Sequence, residues 1–245
     1  MPLGARPVGL VQPSGTPDER RACNDDDVAS GSRPDRAKRR EYFLDITATL
    51  VQTEGLAAVT MERVAALAGL SKPVIYSHFA DRGELLRSLL ERCWRSVDQS
   101  VQVRLRTART FDECLEALVA GYFDEIAAQG ALVGLMIGNA SQEPAVEQAR
   151  RARRRAAEVE WSEFYQRRAG LPPNVADACA AILRSALQGA SEYWIERPGT
   201  SPDDAMDTCL QIMRAGVARL RRRAQAGSRE RPEVRARRPR VRPPG

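Results

Sequence analysis

Polar and apolar positions follow a helical period over most of the chain. Apolar residues recur every three or four positions, and no stretch sustains the alternation with a period of two that marks a strand. The first such segment predicts a helix that ends at Gly55, a residue type that commonly terminates helices. Its apolar stripe consists of Phe43, Ile46 (or Thr47), Leu50 and Val51. The pattern predicts an all-α protein.

The later segments are separated by ordinary helix-breaking sequences. One helix is predicted to begin after Asp81, which forms a capping box with Glu84. Its apolar stripe consists of Leu85, Leu89, Cys93 and Val97. Five further helices are predicted over 112–129, 131–138, 144–168, 174–196 and 202–223, with breaks at QG, SQEP, GLPPN and RPGTSP. These five helices predict a helical bundle.

Both ends of the chain lack an apolar period. Residues 1–34 are rich in proline, glycine, serine and charge, and we predict that they are disordered. Residues 224–245 are also predicted to be disordered and contain seven arginines against two glutamates. Such a basic tail either adds sequence-independent attraction to phosphates or is only a solvated segment.

Composition restricts the class of protein. The chain has 245 residues, 43% of them hydrophobic, which is enough for a core and for one or two domains. Its net charge of +6 fits an anionic partner and fits an arginine-rich soluble surface equally well. The N-terminus lacks the apolar segment of a secretory signal, and the longest apolar run is too short to cross a bilayer. We therefore expect a cytoplasmic protein without membrane contact.

Few residues offer catalytic or metal-binding chemistry. The five cysteines are widely spaced without a C-x-x-C pair, so neither a zinc site nor a disulfide framework is supported, and most are expected to be buried. The chain has a single histidine and no H-E-x-x-H motif, E-x-x-H pair or glycine-rich phosphate loop. We therefore predict no catalytic residue, metal or cofactor. A helical-bundle enzyme is only a remote alternative.

The segment 60–79 predicts two short helices joined by a tight turn. Thr60 can cap the first helix, and Gly69 suits the positive φ of the turn. Ser71 can cap the second helix, and Pro73 lies in its first turn, where the missing N–H costs nothing. The residues predicted to face inward are Val64, Ala65, Ile75 and Phe79. This is the pattern of a helix-turn-helix, although spacing alone equally allows two core helices of a bundle.

The second of these helices is predicted to face DNA. Its exposed side should consist of Lys72, Pro73, Val74, Tyr76 and Ser77. Lys72 can reach guanine edges or a phosphate, Val74 a thymine methyl group, and Tyr76 a phosphate. His78, at the far end of the helix, either contacts a phosphate or packs, and we place it among the DNA contacts.

At these positions the sequence resembles the tetracycline-repressor (TetR) family of bacterial transcription regulators. The residues that carry the resemblance are Thr60, Val64, Ala65, Ala68, Gly69, Ser71, Tyr76, His78, Phe79 and Leu85. The resemblance implies a DNA-binding domain over 35–97, followed by an effector-binding and dimerisation domain over 98–223. Arg82 stands where the family has a lysine, and arginine also binds phosphate. Pro73 replaces a small residue of many members, so the operator cannot be copied from relatives.

The resemblance also implies that the basic approach to the first helix touches the DNA backbone, unless it is merely solvated. The full set of predicted DNA-binding residues is Arg36, Lys38, Arg39, Thr60, Ser71, Lys72, Pro73, Val74, Tyr76, Ser77, His78 and Arg82.

The helix that begins at Pro144 carries many arginines. Its predicted apolar face consists of Ala149, Ala152, Ala156 and Val159, with Arg150, Arg151, Arg154 and Arg155 solvated on the opposite side. Arg153 lies off that side, and a place in the lining of a cleft is the minor alternative to solvated surface for it.

The last two helices are rich in small residues that permit close helix packing. By the resemblance they form a four-helix dimer interface, whereas the alternative is a core within one domain. The candidate interface residues are Ala178, Ala186, Gly189, Ala190, Met206, Leu210, Met213 and Val217.

A ligand pocket is expected among the helices of the second half. The candidates are Tyr122, Phe123, Met136, Asn139, Trp161, Phe164, Tyr165 and Leu187, and each is also compatible with plain core. Aromatic residues and methionine with a few polar groups suit an apolar or amphipathic organic ligand.

These features together predict a homodimeric repressor that is released from a palindromic DNA operator by a small molecule. The alternative is a DNA-binding protein without an effector, acting architecturally or as an activator.

Overall fold

The computed structural model describes residues 33–137, 143–197 and 199–229, and these residues form helices and loops without strands. The helices are α1 (Arg33–Glu54), α2 (Met61–Ala68), α3 (Lys72–His78), α4 (Arg82–Leu105), α5 (Phe111–Gln129), α6 (Val133–Ile137), α7 (Pro144–Ala169), α8 (Pro173–Glu196) and α9 (Pro202–Arg229). Two single 3₁₀ turns occur at Leu56–Ala58 and Gly130–Leu132. The predicted all-α class is confirmed.

The chain divides into two compact units between Leu85 and Leu86. The first unit contains α1, α2, α3 and the first turn of α4, and the second contains the rest of α4 and α5 to α9. The boundary predicted from the sequence, at Val97, lies farther along the same helix.

Local signals fix the helix ends of the first unit, where α1 packs against α2 and α3. Gly55 and Gly69 both have positive φ, 84° and 69°, and follow the ends of α1 and α2 as predicted. The hydroxyl of Thr60 accepts a hydrogen bond from the backbone N–H of Arg63 at 3.1 Å, so the predicted cap exists. Ser71 occupies the cap position of α3, but its side chain makes no capping bond, which corrects that prediction.

The start of α4 has the predicted Asp81 cap, while Glu84 reaches back to the residue before the cap. The N–H of Glu84 donates to Asp81 Oδ1 at 2.8 Å, and Glu84 Oε2 accepts from the N–H of Ala80 at 2.7 Å. The predicted apolar stripe of α4 is buried throughout.

In the second unit, α7 packs against α8, and α9 packs against both α8 and α5. Gly121 of α5 lies so close to α4 that an added Cβ would meet backbone atoms of Val101 at 3.0 Å, which explains why a residue without a side chain stands there. The core of this unit includes Leu115, Val119, Tyr165, Leu183, Met213 and Val217.

The faces of α7 differ from the prediction. Arg150, expected to be solvated, is only 8% exposed, whereas Ala152, Ala156 and Val159 of the predicted apolar face are exposed. Nε and Nη2 of Arg150 donate to the carbonyl of Leu135 at 3.0 and 2.6 Å. That carbonyl belongs to the last turn of α6, where helices leave carbonyls without an intrahelical donor. Arg150 is buried because it supplies the missing donor.

Some predictions concern the chain ends and the cysteines. Helix α9 continues to Arg229, beyond its predicted end at 223 and into the segment expected to be disordered. Residues 1–32 and 230–245 lie outside the described residues, as does Cys23.

The other four cysteines are buried as expected, and burial raises the pKa of Cys93 and of Cys179 to about 11. Within the described ranges, none of the helices is long and apolar enough to cross a membrane.

Candidate DNA interface and effector cavity

Helix α3 presents one polar side to solvent. Lys72, Pro73, Tyr76 and Ser77 are exposed, while Ile75 and Phe79 are buried as predicted. The placement of the two buried residues orients the helix, because α3 packs against both α1 and α2. The predicted inward positions of α2, Val64 and Ala65, are also buried.

Val74 does not belong to the exposed side. Its side chain is only 3% exposed, because the short α3 is enclosed by both neighbouring helices and turns two successive residues, Val74 and Ile75, inward. The prediction that Val74 faces outward is therefore wrong, and with it the basis for a thymine contact.

Lys72 is held near the surface of α2. Its Nζ lies 3.4 Å from Oε1 of Glu62, and both side chains are largely exposed. The backbone hydrogen bond of Glu62 at the start of α2 and then the charge of Lys72 lower the pKa of Glu62. Because an exposed ion pair of this kind is weak, Lys72 can exchange this carboxylate for a DNA phosphate or a guanine.

Two arginines of α1 bind the carboxyl end of α3. Arg36 Nη2 donates to the carbonyl of Ser77 at 2.9 Å, and Arg40 Nη1 donates to the carbonyl of His78 at 2.7 Å. The Arg40 guanidinium also lies 4.2 Å from the centre of the Phe79 ring. Carbonyls in the last turn of a helix attract cations, so both arginines fix the position of α3. We call this pair the arginine clamp.

Sequence reasoning missed Arg40, although a signal was present. Arg36 and Arg40 are four residues apart and therefore share one face of α1. Of the other predicted backbone contacts, Lys38 is exposed and Arg39 is half-buried. Whether any of them touches DNA stays a prediction.

The single histidine is half-buried beside the clamp. The His78 ring lies 5.6 Å from the Phe43 ring, centre to centre. Burial first, and then the charges of Arg36, Arg39 and Arg40, lower the pKa of His78. A neutral imidazole against an aromatic ring favours the packing alternative over a charged phosphate contact.

Arg82 binds backbone carbonyls of the protein itself. Its Nε donates to the carbonyl of Val59 at 2.6 Å and its Nη2 to that of Leu56 at 3.0 Å. These bonds connect the start of α4 to the 3₁₀ turn that precedes α2. The phosphate contact of Arg82 stays a prediction, as do those of Thr60 and Ser71, which are both exposed.

The second unit contains a cavity of about 530 Å³ among α4, α5, α7 and α8. Five of the predicted ligand-binding residues line it, namely Tyr122, Met136, Trp161, Phe164 and Leu187. Phe123 and Tyr165 do not, because they are buried in the core, which corrects their assignment. Asn139 lies outside the described residues.

Helix α4 contributes a part of the lining that the sequence did not suggest. Trp94, Val97, Asp98, Val101 and Leu105 face the cavity at helical spacing. The signal was a continuation of the α4 stripe beyond Val97, which sequence reasoning assigned to core alone.

Arginines form the polar part of the same wall. The cavity is lined by Arg150, Arg153, Arg154, Arg167 and Arg184, and by the acidic residues Asp98 and Glu160. Arg153 lines the cavity, which was the minor alternative from sequence, and it forms a salt bridge with Asp98 of α4. The hydroxyl of Tyr122 lies 3.4 Å from Ser191 Oγ, and burial raises the pKa of Tyr122.

The predicted dimer residues divide into two groups. Leu210, Met213 and Val217 are buried within the second unit, so the alternative of a core within one domain applies to them. They pack inward because α9 contacts both α5 and α8. The remaining candidates are exposed or partly exposed, namely Ala178, Ala186, Gly189, Ala190 and Met206.

Helices α8 and α9 expose large apolar side chains beside the small ones. Ile182 is 66% exposed and Ile212 is 61% exposed, and Tyr193 is also exposed. We call the surface that contains Ile182, Gly189, Tyr193 and Ile212 the α8–α9 face.

A capped helix, a glycine turn and a second helix with an exposed Lys72–Tyr76 side form a helix-turn-helix, which defines a class of DNA-binding transcription regulators. Residues 43–89 match the sequence model of the bacterial regulatory proteins of the tetR family. Over this part the chain is similar to the TetR family, and the match supports a DNA-binding transcriptional regulator.

Similar proteins agree with this family. The chain is 28% identical over 193 residues to the HTH-type transcriptional activator FasR of Mycolicibacterium smegmatis, a match that covers 78% of this chain and 88% of FasR. It is 32% identical over 90 residues to the HTH-type transcriptional regulator BetI of Paraburkholderia xenovorans, which covers 36% of this chain and 46% of BetI.

Solved structures share the fold. A putative TetR-family transcriptional regulator from Syntrophomonas wolfei superposes with a TM-score of 0.63 at 15% identity. The superposition covers 74% of this chain and 96% of that protein.

Proposed function

We propose that this protein is a homodimeric regulator whose two α3 helices read a palindromic DNA operator in the cytoplasm. A small organic molecule bound in the cavity then changes its affinity for DNA. The observation that carries the proposal is the exposed side of α3, where Lys72 and Tyr76 lie four residues apart on a rigidly held helix.

The contacts of α3 are assigned by chemistry. Lys72 can donate to guanine or phosphate, and the hydroxyls of Tyr76 and Ser77 can donate to phosphates. The arginine clamp keeps α3 in place while these side chains bind DNA. Arg36, Lys38 and Arg39 add positive charge on the adjacent helix, which favours phosphate contacts.

A dimer is supported by the α8–α9 face. Exposed isoleucines beside glycine and alanine favour burial against an identical surface, because small residues let helices approach closely. A helix of seven residues reads few base pairs by itself. Two copies related by a two-fold axis read two half-sites and so gain affinity and specificity.

Ligand control is supported by the cavity and by the path of α4. This helix begins at Arg82, next to the helix-turn-helix in sequence, and its later residues Trp94 to Leu105 line the cavity. A ligand that prefers one position of α4 shifts the population of dimers that fit the operator. The ligand must therefore bind the dimers that fit the operator and those that do not with different affinities.

The sign of regulation has two candidates. We favour repression with release by the ligand, as in the prediction from sequence. Activation is the second candidate because a relative with 78% coverage of this chain is named a transcriptional activator. A transcription assay with the purified protein and its selected operator separates them, because a repressor lowers transcript yield and an activator raises it.

The experiment that tests the proposal is selection of operator sequences from random DNA, followed by footprinting of the winning site. A palindromic site is expected. Lys72→Ala should weaken operator binding about tenfold, and Tyr76→Phe should weaken it by a smaller factor, because each removes a single contact.

Arg151→Ala is the matched control. Arg151 is an exposed arginine of α7, so its loss removes one positive charge without touching α3. Absence of sequence-dependent protection at moderate salt would refute the proposal. Equal binding by the Lys72 variant and the wild type would refute the assignment of α3 as the recognition helix.

A further inference from the structure

The cavity has two chemically different walls. Trp94, Tyr122, Trp161 and Phe164 offer apolar and aromatic surface. The arginines of α7 and α8 that line the cavity outnumber its two acidic residues, Asp98 and Glu160. An apolar wall next to excess positive charge matches a molecule with an apolar body and an anionic end.

Two of these arginines already have firm partners. Arg150 binds the α6 carbonyls, and Arg184 Nε lies 3.2 Å from Glu158 Oε1. Both are therefore poorly available to a ligand. Arg167 forms an exposed pair with Glu163 at 2.9 Å, which holds it only weakly.

Arg153 and its neighbour Arg154 differ. Arg153 forms its salt bridge with Asp98, and both partners are partly exposed. Among the described residues, Arg154 forms no salt bridge with a carboxylate. Two guanidiniums thus line the cavity, and one carboxylate, that of Asp98 on α4, pairs with Arg153. A guanidinium binds an incoming carboxylate or phosphate with the same two-pronged geometry that it uses for aspartate.

We propose that the cavity binds an amphipathic organic anion whose anionic group takes the place of Asp98 on Arg153. This inference rests on the proposed function, because it identifies the ligand class of the effector cavity. The apolar body lies against the tryptophans and Phe164, and Arg154 supplies further positive charge.

The exchange has a mechanical consequence. Asp98 lies on α4 and Arg153 on α7, so their salt bridge ties these two helices together. A bound anion releases Asp98 and thereby removes one tie of α4. Helix α4 follows the helix-turn-helix directly in sequence. A ligand that releases Asp98 therefore binds more tightly to the conformation in which α4 is untied, and it shifts the dimer toward that conformation.

The test compares three fluorescent probes with one apolar body: pyrenebutyrate, pyrenebutanol and pyrenebutylammonium. Their affinities for the full chain are measured by fluorescence titration. We expect the anion to bind about tenfold more tightly than the alcohol, because a charge-assisted hydrogen bond is added. The cation should bind more weakly than the alcohol.

Variants locate the anionic group. Arg153→Gln should abolish the preference for pyrenebutyrate while the affinity for pyrenebutanol stays the same. Asp98→Asn should tighten pyrenebutyrate binding severalfold, because the competitor is gone, and should leave pyrenebutanol unchanged. Arg151→Gln, four residues from Glu147 and paired with it on the outer side of α7, is the matched control and should change neither affinity.

Equal affinity for the three probes would overturn the inference. It would also be overturned if Asp98→Asn weakened pyrenebutyrate binding, a result that stands even if the Arg153 variant fails to fold. Operator binding without probe is measured in the same samples. Intact operator binding without an anion preference refutes the ligand class alone, whereas loss of sequence-specific DNA binding refutes the proposed function.

Discussion

The two units of this protein differ in how their helices acquire their orientation. In the first unit, short helices are bounded by Thr60, Gly69 and Pro73, and each of these acts through its own backbone neighbours. In the second unit, long helices have several possible inward faces, and distant partners decide between them. Arg150 is buried because two carbonyls fifteen and sixteen residues away need donors.

This difference shows in which helices the hydrophobic pattern alone is sufficient to predict the buried face. A helix of eight residues can bury one narrow stripe, so Val64 and Ala65 leave little choice. Helix α7 has 26 residues and is weakly amphipathic in sequence, and a face of alanines is as easily exposed as buried. Alanine contributes little apolar area, so its burial is weakly enforced.

The largest effect should come from breaking the α8–α9 face. Ile212→Asp places a charge on this surface and should convert the proposed dimer to a monomer. Operator affinity should then fall by about a hundredfold or more, because the second half-site contact becomes a separate binding event. Sedimentation velocity and an operator binding assay measure both effects.

Val159→Asp is the matched control for this experiment. Val159 is 60% exposed on α7, which is nearly the exposure of Ile212, but it lies off the α8–α9 face. It should remain dimeric and bind the operator normally. A dimeric Ile212 variant, or a monomeric Val159 variant, would show that this protein pairs through another surface.

The next largest effect concerns the stability of the second unit. Arg150→Ala should lower the free energy of unfolding by about 2–4 kcal/mol, because it leaves buried carbonyls of α6 without donors. Urea unfolding monitored by circular dichroism measures the change.

Arg155→Ala provides the comparison. Both arginines were expected on one solvated side, but Arg155 is exposed, so its replacement should stay within about 0.5 kcal/mol of the wild type. Equal effects of the two substitutions would mean that the burial of Arg150 carries no stabilising role.

Much of the first unit could be predicted from sequence because its determinants are local. The turn at Gly69, the cap at Thr60 and the inward Ile75 and Phe79 are all read from neighbouring positions. Val74 could not be assigned in this way. Its burial depends on α1 and α2 enclosing α3 from two sides, and this is a property of packing rather than of helical period.

The candidate cavity was predictable in part. Trp161 and Phe164 were expected to line it, since aromatic residues recur on α7. Tyr165 was not distinguishable from them, because its neighbours in sequence are equally aromatic and only packing places its ring in the core. The salt bridge between Asp98 and Arg153 joins residues 55 positions apart, a pairing that no local pattern indicates.

A smaller effect tests the local rules of the first unit. Thr60→Ala should lower the free energy of unfolding by about 1 kcal/mol, because the bond to the N–H of Arg63 is lost. Ser71→Ala should cost only about 0.3 kcal/mol, because Ser71 makes no capping bond in α3. Equal losses in chemical denaturation would indicate that Ser71 also acts as a cap.

The smallest effect is a change in the pH dependence of stability. Burial and three arginines lower the pKa of His78 in the folded state, whereas the unfolded chain has the ordinary value of about 6.5. The unfolded state therefore binds the proton more readily, and stability should fall as pH decreases below about 6.5 and level off below the folded pKa. His78→Gln removes the only imidazole of the chain. Its free energy of unfolding should vary less than that of the wild type between about pH 7.5 and about pH 5.5, and identical slopes would mean that His78 protonates freely in the folded protein.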